Sequence, residues 1–215
     1  MSVADPLRAV IVLVLGLLLG SILPADLLAR RRGIDIRANG DGNPGTVNAF
    51  RVLGRGAGIV TAVYDIAIGV VVLQIALRLG LSEGTAYAAG FATVVGHRFP
   101  LMRGFRGGGE GMAASAGLLV YGIGVALSRG WISFVDLGGL VVILLAAYAF
   151  TRYDSAAAVV VLPALVVRLV IAPTDWQYLA FMSVTAGYIW AVQVIRVRRW
   201  LATRNQEAAR GHSRG

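Results

Sequence analysis

Between two strongly apolar runs lies GIDIRANGDGNPGTVNAFRVLGR, Gly33 to Arg55, where glycines are interleaved with small amides and arginines. Glycine lets main-chain N–H groups approach an anion closely, the amides of Asn43 and Asn48 can donate, and the guanidinium groups of Arg37, Arg51 and Arg55 can grip phosphate two-pronged. The segment reads as a phosphate cradle with the backbone from Gly42 to Gly45 as its floor. Asp41 lies inside it, and a carboxylate there opposes anion binding unless an arginine neutralises it. A second segment, GHRFPLMRGFRGGGEG from Gly96 to Gly111, again mixes glycines with arginines. Its His97 suits either a helix-end hydrogen bond or proton transfer. Ser21 and Ser155 add hydroxyls, and Ser155 is expected to cap a helix or donate to a phosphate at that helix N-terminus.

Other chemistries are poorly served. There is no cysteine, which excludes disulfides, thiolate nucleophiles and cysteine-held metals. The two histidines, one of them His212 near the C-terminus, cannot build a histidine-rich metal site, and no Ser-His-Asp set stands out. No metal and no cofactor are expected.

The elements that must position these residues belong in a bilayer. Hydrophobic residues make up 57% of the 215-residue chain, charged residues only 14%, and the mean hydropathy is +0.74. Seven apolar runs approach the roughly 20 residues that a spanning helix needs. They are Pro6 to Ala29, Ala57 to Leu79, the short Gly84 to Gly96, Met112 to Ser128, Phe134 to Phe150, Ser155 to Ala172 and Trp176 to Ile195. The short run can lengthen towards Ser82 and Phe99. The basic residues are all arginine, and with the N-terminus outside, sixteen of the twenty fall on cytoplasmic segments. The fold class expected is therefore an all-α bundle of about seven transmembrane helices, N-terminus outside and C-terminus cytoplasmic. Residues 1–204 are read as one polytopic domain and 205–215 as a flexible cytoplasmic tail. Glycines within the runs, among them Gly16, Gly20, Gly69, Gly90, Gly117, Gly122, Gly124, Gly138, Gly139 and Gly187, are read as helix contacts. Among charges in or near spans, Asp26 is expected to pair locally with Arg30, Asp65 to need a donor such as a loop arginine, Asp136 to suit a helix start, and Arg168 to snorkel outward.

Three motifs carry a resemblance. The first is GSILPADLLARRRGIDIRANGDGNPGTVNAFR, with Ser21, Gly33, Ile34, Asp35, Ile36, Arg37, Gly42, Asn43, Gly45, Asn48 and Arg51 in place. The second keeps Gly96, His97, Phe99, Pro100, Phe105, Arg106, Gly107 and Gly108, and the third is TRYDSAAAVVVLP with Ser155. Over Gly20 to about Thr203 the chain resembles the bacterial membrane glycerol-3-phosphate acyltransferases that use acyl phosphate, the PlsY type. It departs from them in having Gly109 or Glu110 at a lysine position, Ile68 at another, and Gln193 and Arg196 where histidine and asparagine are usual.

The resemblance implies transfer of a fatty acyl group from acyl phosphate to the 1-hydroxyl of glycerol 3-phosphate, giving lysophosphatidate and phosphate. Phosphate leaves readily, so such a site needs positioning and anion stabilisation rather than a covalent nucleophile. On this reading Ser21, Arg37, Gly42, Asn43, Gly45, Asn48, Arg51, Arg106, Gly107, Gly108 and Ser155 bind substrate, and His97 is the one candidate for catalysis. Expected partners are acyl phosphate, glycerol 3-phosphate, membrane lipid and the soluble enzyme that makes acyl phosphate, with no nucleic acid. The location implied is the bacterial inner membrane, multi-pass, with the site facing the cytoplasm. The lost lysines leave open a non-catalytic membrane protein that holds a lipid phosphate, and a related acyltransferase with another acceptor. A transporter is less favoured, because no paired midplane carboxylates or broken-helix repeats are present.

Overall fold

Pro24 breaks the first apolar run. Lacking an N–H, it cannot continue a helix from above, and it holds Leu23 extended at φ −111° and ψ 94°. Two helices result, α1 (Ala4–Gly20) and α2 (Pro24–Arg31), bent by 41° about Ser21 to Leu23. In place of the single helix expected from Pro6 to Ala29, there is a corner at the start of the first motif.

The protein is described over residues 4–212 in a computed structural model, and all regular structure there is helical. The remaining helices are α3 (Thr46–Leu53), α4 (Arg55–Arg78), α5 (Glu83–Arg98), α6 (Met112–Ser128), α7 (Phe134–Thr151), α8 (Asp154–Ile171) and α9 (Trp176–His212), with a 3₁₀ turn at Leu101–Arg103. Each apolar run is thus helical. Ser82 caps α5 by accepting the Thr85 N–H, and Phe99 ends it, so the short run did extend at both ends. Four helices, α4, α7, α8 and the Trp176–Arg204 part of α9, are long and apolar enough to cross a membrane, or five if α1 and α2 form one bent span. The 16 residues of α5 and 17 of α6 reach only about 24–26 Å at 1.5 Å per residue, short of a ~30 Å hydrocarbon core. Helix α9 continues beyond Arg204 to His212, and 213–215 lie outside the described residues.

The contacts divide the chain into two compact units. One comprises the residues up to Val125 together with Asp175–Thr185, the other Ala126–Thr174 and the residues from Ala186 onward. In the first, α5 packs on α1 and α4, and glycines bring the backbones close. A β-carbon on Gly20 would run into the Thr93 carbonyl, one on Gly96 into that of Leu17, and one on Gly117 into that of Ile66. Gly124, Gly138, Gly139 and Gly187 face open space instead, so their expected role as helix contacts does not hold. Tyr87 of α5 stacks on Phe181 of α9 with centroids 4.5 Å apart, and Tyr178 Oη donates to the Gly122 carbonyl at 2.8 Å. Gly20→Leu should destabilise this unit by about 1–3 kcal/mol or more through overpacking against backbone. Gly138→Ala should be neutral, and the unfolding midpoint followed by tryptophan fluorescence compares them.

In the second unit α7 packs on α8. Ser133 and Asp136 form a capping box at the start of α7, and Asp136 also accepts Arg168 of α8 through Nε at 2.7 Å and Nη2 at 3.0 Å. Arg168, in the last turn of α8, thus pairs between helices while its side chain stays 34% exposed.

Candidate active site

The first motif folds over a small apolar core of Ala25, Ala29, Ile36, Ala49, Leu53 and Ala57. Its hub is Asn48 on α3, 1% exposed, whose Nδ2 donates to the Ile36 carbonyl (3.1 Å) and the Asn39 carbonyl (2.9 Å) while Oδ1 accepts the Asp41 N–H (3.1 Å). Both amide hydrogens are thereby used on main chain, so Asn48 shapes the cradle rather than donating to an anion as expected. Asp41 Oδ1 accepts the Asn43 N–H at 3.0 Å, and Asp41 Oδ2 pairs with Arg51 at 3.2 Å. Arg51 thus supplies the neutralisation that a carboxylate in the cradle requires. Gly42 turns the chain at φ +73°, where a β-carbon would come within 3.0 Å of the Arg37 carbonyl oxygen and the backbone would be strained. Gly45 is the N-cap of α3, and no side-chain oxygen caps that helix. Its first N–H groups remain for an external acceptor.

The second motif crosses the first here. Asn43 Oδ1 accepts the Glu110 N–H at 3.1 Å. Arg37 reaches the Gly107 carbonyl through Nε (2.8 Å) and Nη2, and gives Nη1 to Asp26. Asp26, 6% exposed at the start of α2, also pairs with Arg103 at 2.6 Å and Arg30 at 3.2 Å. One carboxylate therefore ties the helix corner to both loops. Ser21 completes the tie: its hydroxyl donates to the Leu17 carbonyl (2.6 Å) and accepts the Leu101 N–H (3.1 Å). Arg37 and Ser21, read from sequence as substrate contacts, are engaged as struts.

Behind the crossing, Asp65 of α4 is 1% exposed and accepts from Thr46 Oγ1 at 3.4 Å. Its neighbour is His97 Nδ1 at 3.8 Å, not the loop arginine expected. The His97 carbonyl accepts the Gly109 N–H at 3.0 Å, and Gly108 packs on the Arg98 and His97 carbonyls so closely that no β-carbon fits. Gly107 has φ +67°, and Arg106 beside it is exposed. Ser155 is buried in the second compact unit and is not the cap expected: Tyr153 is the N-cap of α8, and the Ser155 N–H donates to Asp154 Oδ1 at 2.7 Å.

Asn43, Gly42, Gly45, Arg51, Gly107, Gly108 and His97 are thus brought into one neighbourhood. Sequence reasoning missed the three-arginine engagement of Asp26 and the short helix α3. The signal for the first was an acidic residue at an apolar corner within reach of two arginine-rich loops. For the second it was TVNAFRVL directly after Pro44-Gly45, apolar on one side and polar on the other.

The glycerol-3-phosphate acyltransferase family profile matches residues 10–203. The chain belongs to this family. A member from Deinococcus radiodurans, glycerol-3-phosphate acyltransferase 1, is 36% identical over 190 residues, covering 86% of this chain and 88% of its own length. The glycerol-3-phosphate acyltransferase of Geobacter sulfurreducens is 33% identical over 154 residues, 72% of this chain and 74% of its own. Among solved structures, the crystal structure of PlsY, an integral membrane glycerol 3-phosphate acyltransferase, in its glycerol 3-phosphate form superposes with a TM-score of 0.69 at 26% identity. The superposition covers 91% of this chain and 93% of that one, and the lysophosphatidic acid form matches with a TM-score of 0.67. This acyltransferase family member has the helical, integral-membrane character of its solved relative.

Proposed function

We propose that this acyltransferase moves a fatty acyl group from acyl phosphate to the 1-hydroxyl of glycerol 3-phosphate, releasing phosphate and leaving lysophosphatidate in the membrane. The observation that carries the reading is the crossing of the two glycine loops, fixed by the Asn43 to Glu110 and Arg37 to Gly107 bonds. Two phosphorylated substrates need two neighbouring anion cradles that let the acceptor hydroxyl approach the acyl carbon to about 3–3.5 Å, a demand that adjoining loops can meet. One cradle is the backbone from Gly42 to Gly45 with Asn43, Arg51 and the open N-terminus of α3. The other is Gly107 and Gly108 with Arg106. Arg37, Asn48 and Ser21 hold these cradles in register. Seven membrane passages with the N-terminus outside, in one polytopic domain ending near residue 204, would put both loops on the cytoplasmic face of a bacterial inner membrane. A soluble producer of acyl phosphate can then deliver its product there. The arginine distribution supports that orientation.

Purified protein in detergent, given acyl phosphate and labelled glycerol 3-phosphate, should yield labelled lysophosphatidate and one phosphate per turnover. Retained phosphate-ligand binding with no product would instead favour a non-catalytic lipid-phosphate binder, and product formed only with a different alcohol would reassign the acceptor. Arg106→Ala and Asn43→Ala should each raise KM for a phosphorylated substrate by about tenfold or more, the loss of one charge-assisted contact of ~1.5–3 kcal/mol, with the bundle still folded. Unchanged kinetics in both would remove these residues from the site.

A further inference from the structure

The first cradle lies at the N-terminus of α3, and at the other end of that helix three arginines gather without an acidic partner. Arg32, the C-cap of α2, donates through Nη1 to the Leu53 carbonyl at 2.6 Å, which fixes the end of α2 against the end of α3. Arg31 is the last residue of α2, and Arg55, two places after Leu53, is the first of α4. All three side chains are exposed, and among the described residues none of them forms an ion pair. The one carboxylate of α2, Asp26, is already claimed by Arg30, Arg37 and Arg103. A β-carbon on Gly54 or Gly56 would meet nothing within 4 Å, so the corner is bare.

The apolar residues beside it are arranged by depth. On α2, Leu27 lies one turn before Arg31 and is 50% exposed; on α4, Ile59 lies one turn after Arg55 and is 55% exposed. Phe50 of α3, 41% exposed, covers Gly58 so closely that a β-carbon there would overlap its ring, which sets it next to Ile59. Helix α4 is long and apolar enough to cross a membrane, and Arg55 opens it. A charge at that end belongs at headgroup depth, and a residue one turn on lies about 6 Å deeper, where acyl chains begin.

We infer that this corner seats an anionic phospholipid of the surrounding leaflet, its phosphate held by Arg31, Arg32 and Arg55 and its chains laid on Leu27, Phe50 and Ile59. Firm lipid attachment takes two signals, apolar contact and charge, and the corner supplies both. Guanidinium groups grip a phosphodiester, whereas a zwitterionic headgroup brings its own cation, which three arginines repel. Because α3 also carries Asn48, occupation braces the helix on which the first cradle is built.

The test is the thermal midpoint of delipidated, detergent-purified protein, followed by tryptophan fluorescence during titration with phosphatidylglycerol or, separately, phosphatidylcholine of the same chains. A ligand that binds only the folded state raises the midpoint as its concentration rises, so phosphatidylglycerol should raise it and phosphatidylcholine should leave it nearly unmoved. Arg31→Gln together with Arg55→Gln should need about thirtyfold more phosphatidylglycerol for the same shift, and each single exchange about fivefold. Arg31→Lys with Arg55→Lys keeps the charge and should keep most of the response. Equal shifts from the two lipids, or a double glutamine variant that titrates like wild type, would overturn the assignment. An equal shift from inorganic phosphate that disappears in the double glutamine variant would make the corner a site for free anions and overturn it as well. The midpoint does not depend on turnover, so failure here leaves the proposed acyl transfer standing.

Discussion

Asp26→Ala should abolish measurable acyl transfer and lower the thermal midpoint more than any single substitution among the loop arginines. The carboxylate is 6% exposed and receives Arg30, Arg37 and Arg103. Removing one partner of a fully buried ion pair costs about 3–5 kcal/mol, because the remaining charge stays desolvated. Here the side chains of Arg37, Arg103 and Arg30 are 20%, 31% and 57% exposed, so water recovers part of that cost, and about 2–3 kcal/mol is the fitting scale. The functional loss should exceed the loss of stability. Arg37 freed from Asp26 no longer has a fixed direction from which to hold the Gly107 carbonyl, and the second loop loses its register against Asn43. Misplacement by about 1 Å is enough to cost a hundredfold in rate. Asp26→Asn keeps an acceptor but not the charge and should fall between the two. Turnover and tryptophan-fluorescence melting of the three proteins check the order, and Asp26→Ala with near wild-type turnover would remove the clasp from the account.

Asn48→Ala should be nearly as damaging, by a different route. Its amide satisfies the carbonyls of Ile36 and Asn39 and the Asp41 N–H of the first loop, and the bond to Ile36 is buried. An unsatisfied buried polar group costs about 1–3 kcal/mol, so the loop should lose roughly 3 kcal/mol in all. Asn48→Asp separates scaffold from ligand roles. It keeps the acceptor for the Asp41 N–H but points a carboxylate at the Ile36 and Asn39 carbonyls, so it should do no better than alanine. A residue that only attracted phosphate would give the same loss in KM with an unshifted melting curve, and that result would restore Asn48 to the substrate.

Helix positions were legible because apolar runs bounded by glycine, serine and arginine leave a chain few other options in lipid. The break at Pro24 was also written in the sequence, but counting apolar residues passes over it, since hydropathy does not register a missing N–H. Span number is harder still. The 16 and 17 residues of α5 and α6 fall at the margin where length alone stops deciding. At the site, the residue types that hold anions were read correctly as a group, yet their division into ligands and scaffold was not. Arg37 and Asn48 look like phosphate ligands in a linear motif. Only the fold shows that Asp26, eleven residues before Arg37, and the carbonyls of Ile36, Asn39 and Gly107 claim them first. The Asp65 to His97 approach joins two helices through residues 32 positions apart, with no local spacing to betray it.

The meeting of the two loops can be measured directly because the chain has no cysteine of its own. Cysteines placed together at Asn43 and Glu110, whose side-chain oxygen and main-chain nitrogen lie 3.1 Å apart, should join in an intramolecular disulfide when native membranes are treated with a mild oxidant. The product runs as a monomer of altered mobility that reverts on reduction. Two cysteines that each react with a maleimide, yet never cross-link to one another, would mean that the loops do not share a cavity and would contradict the account.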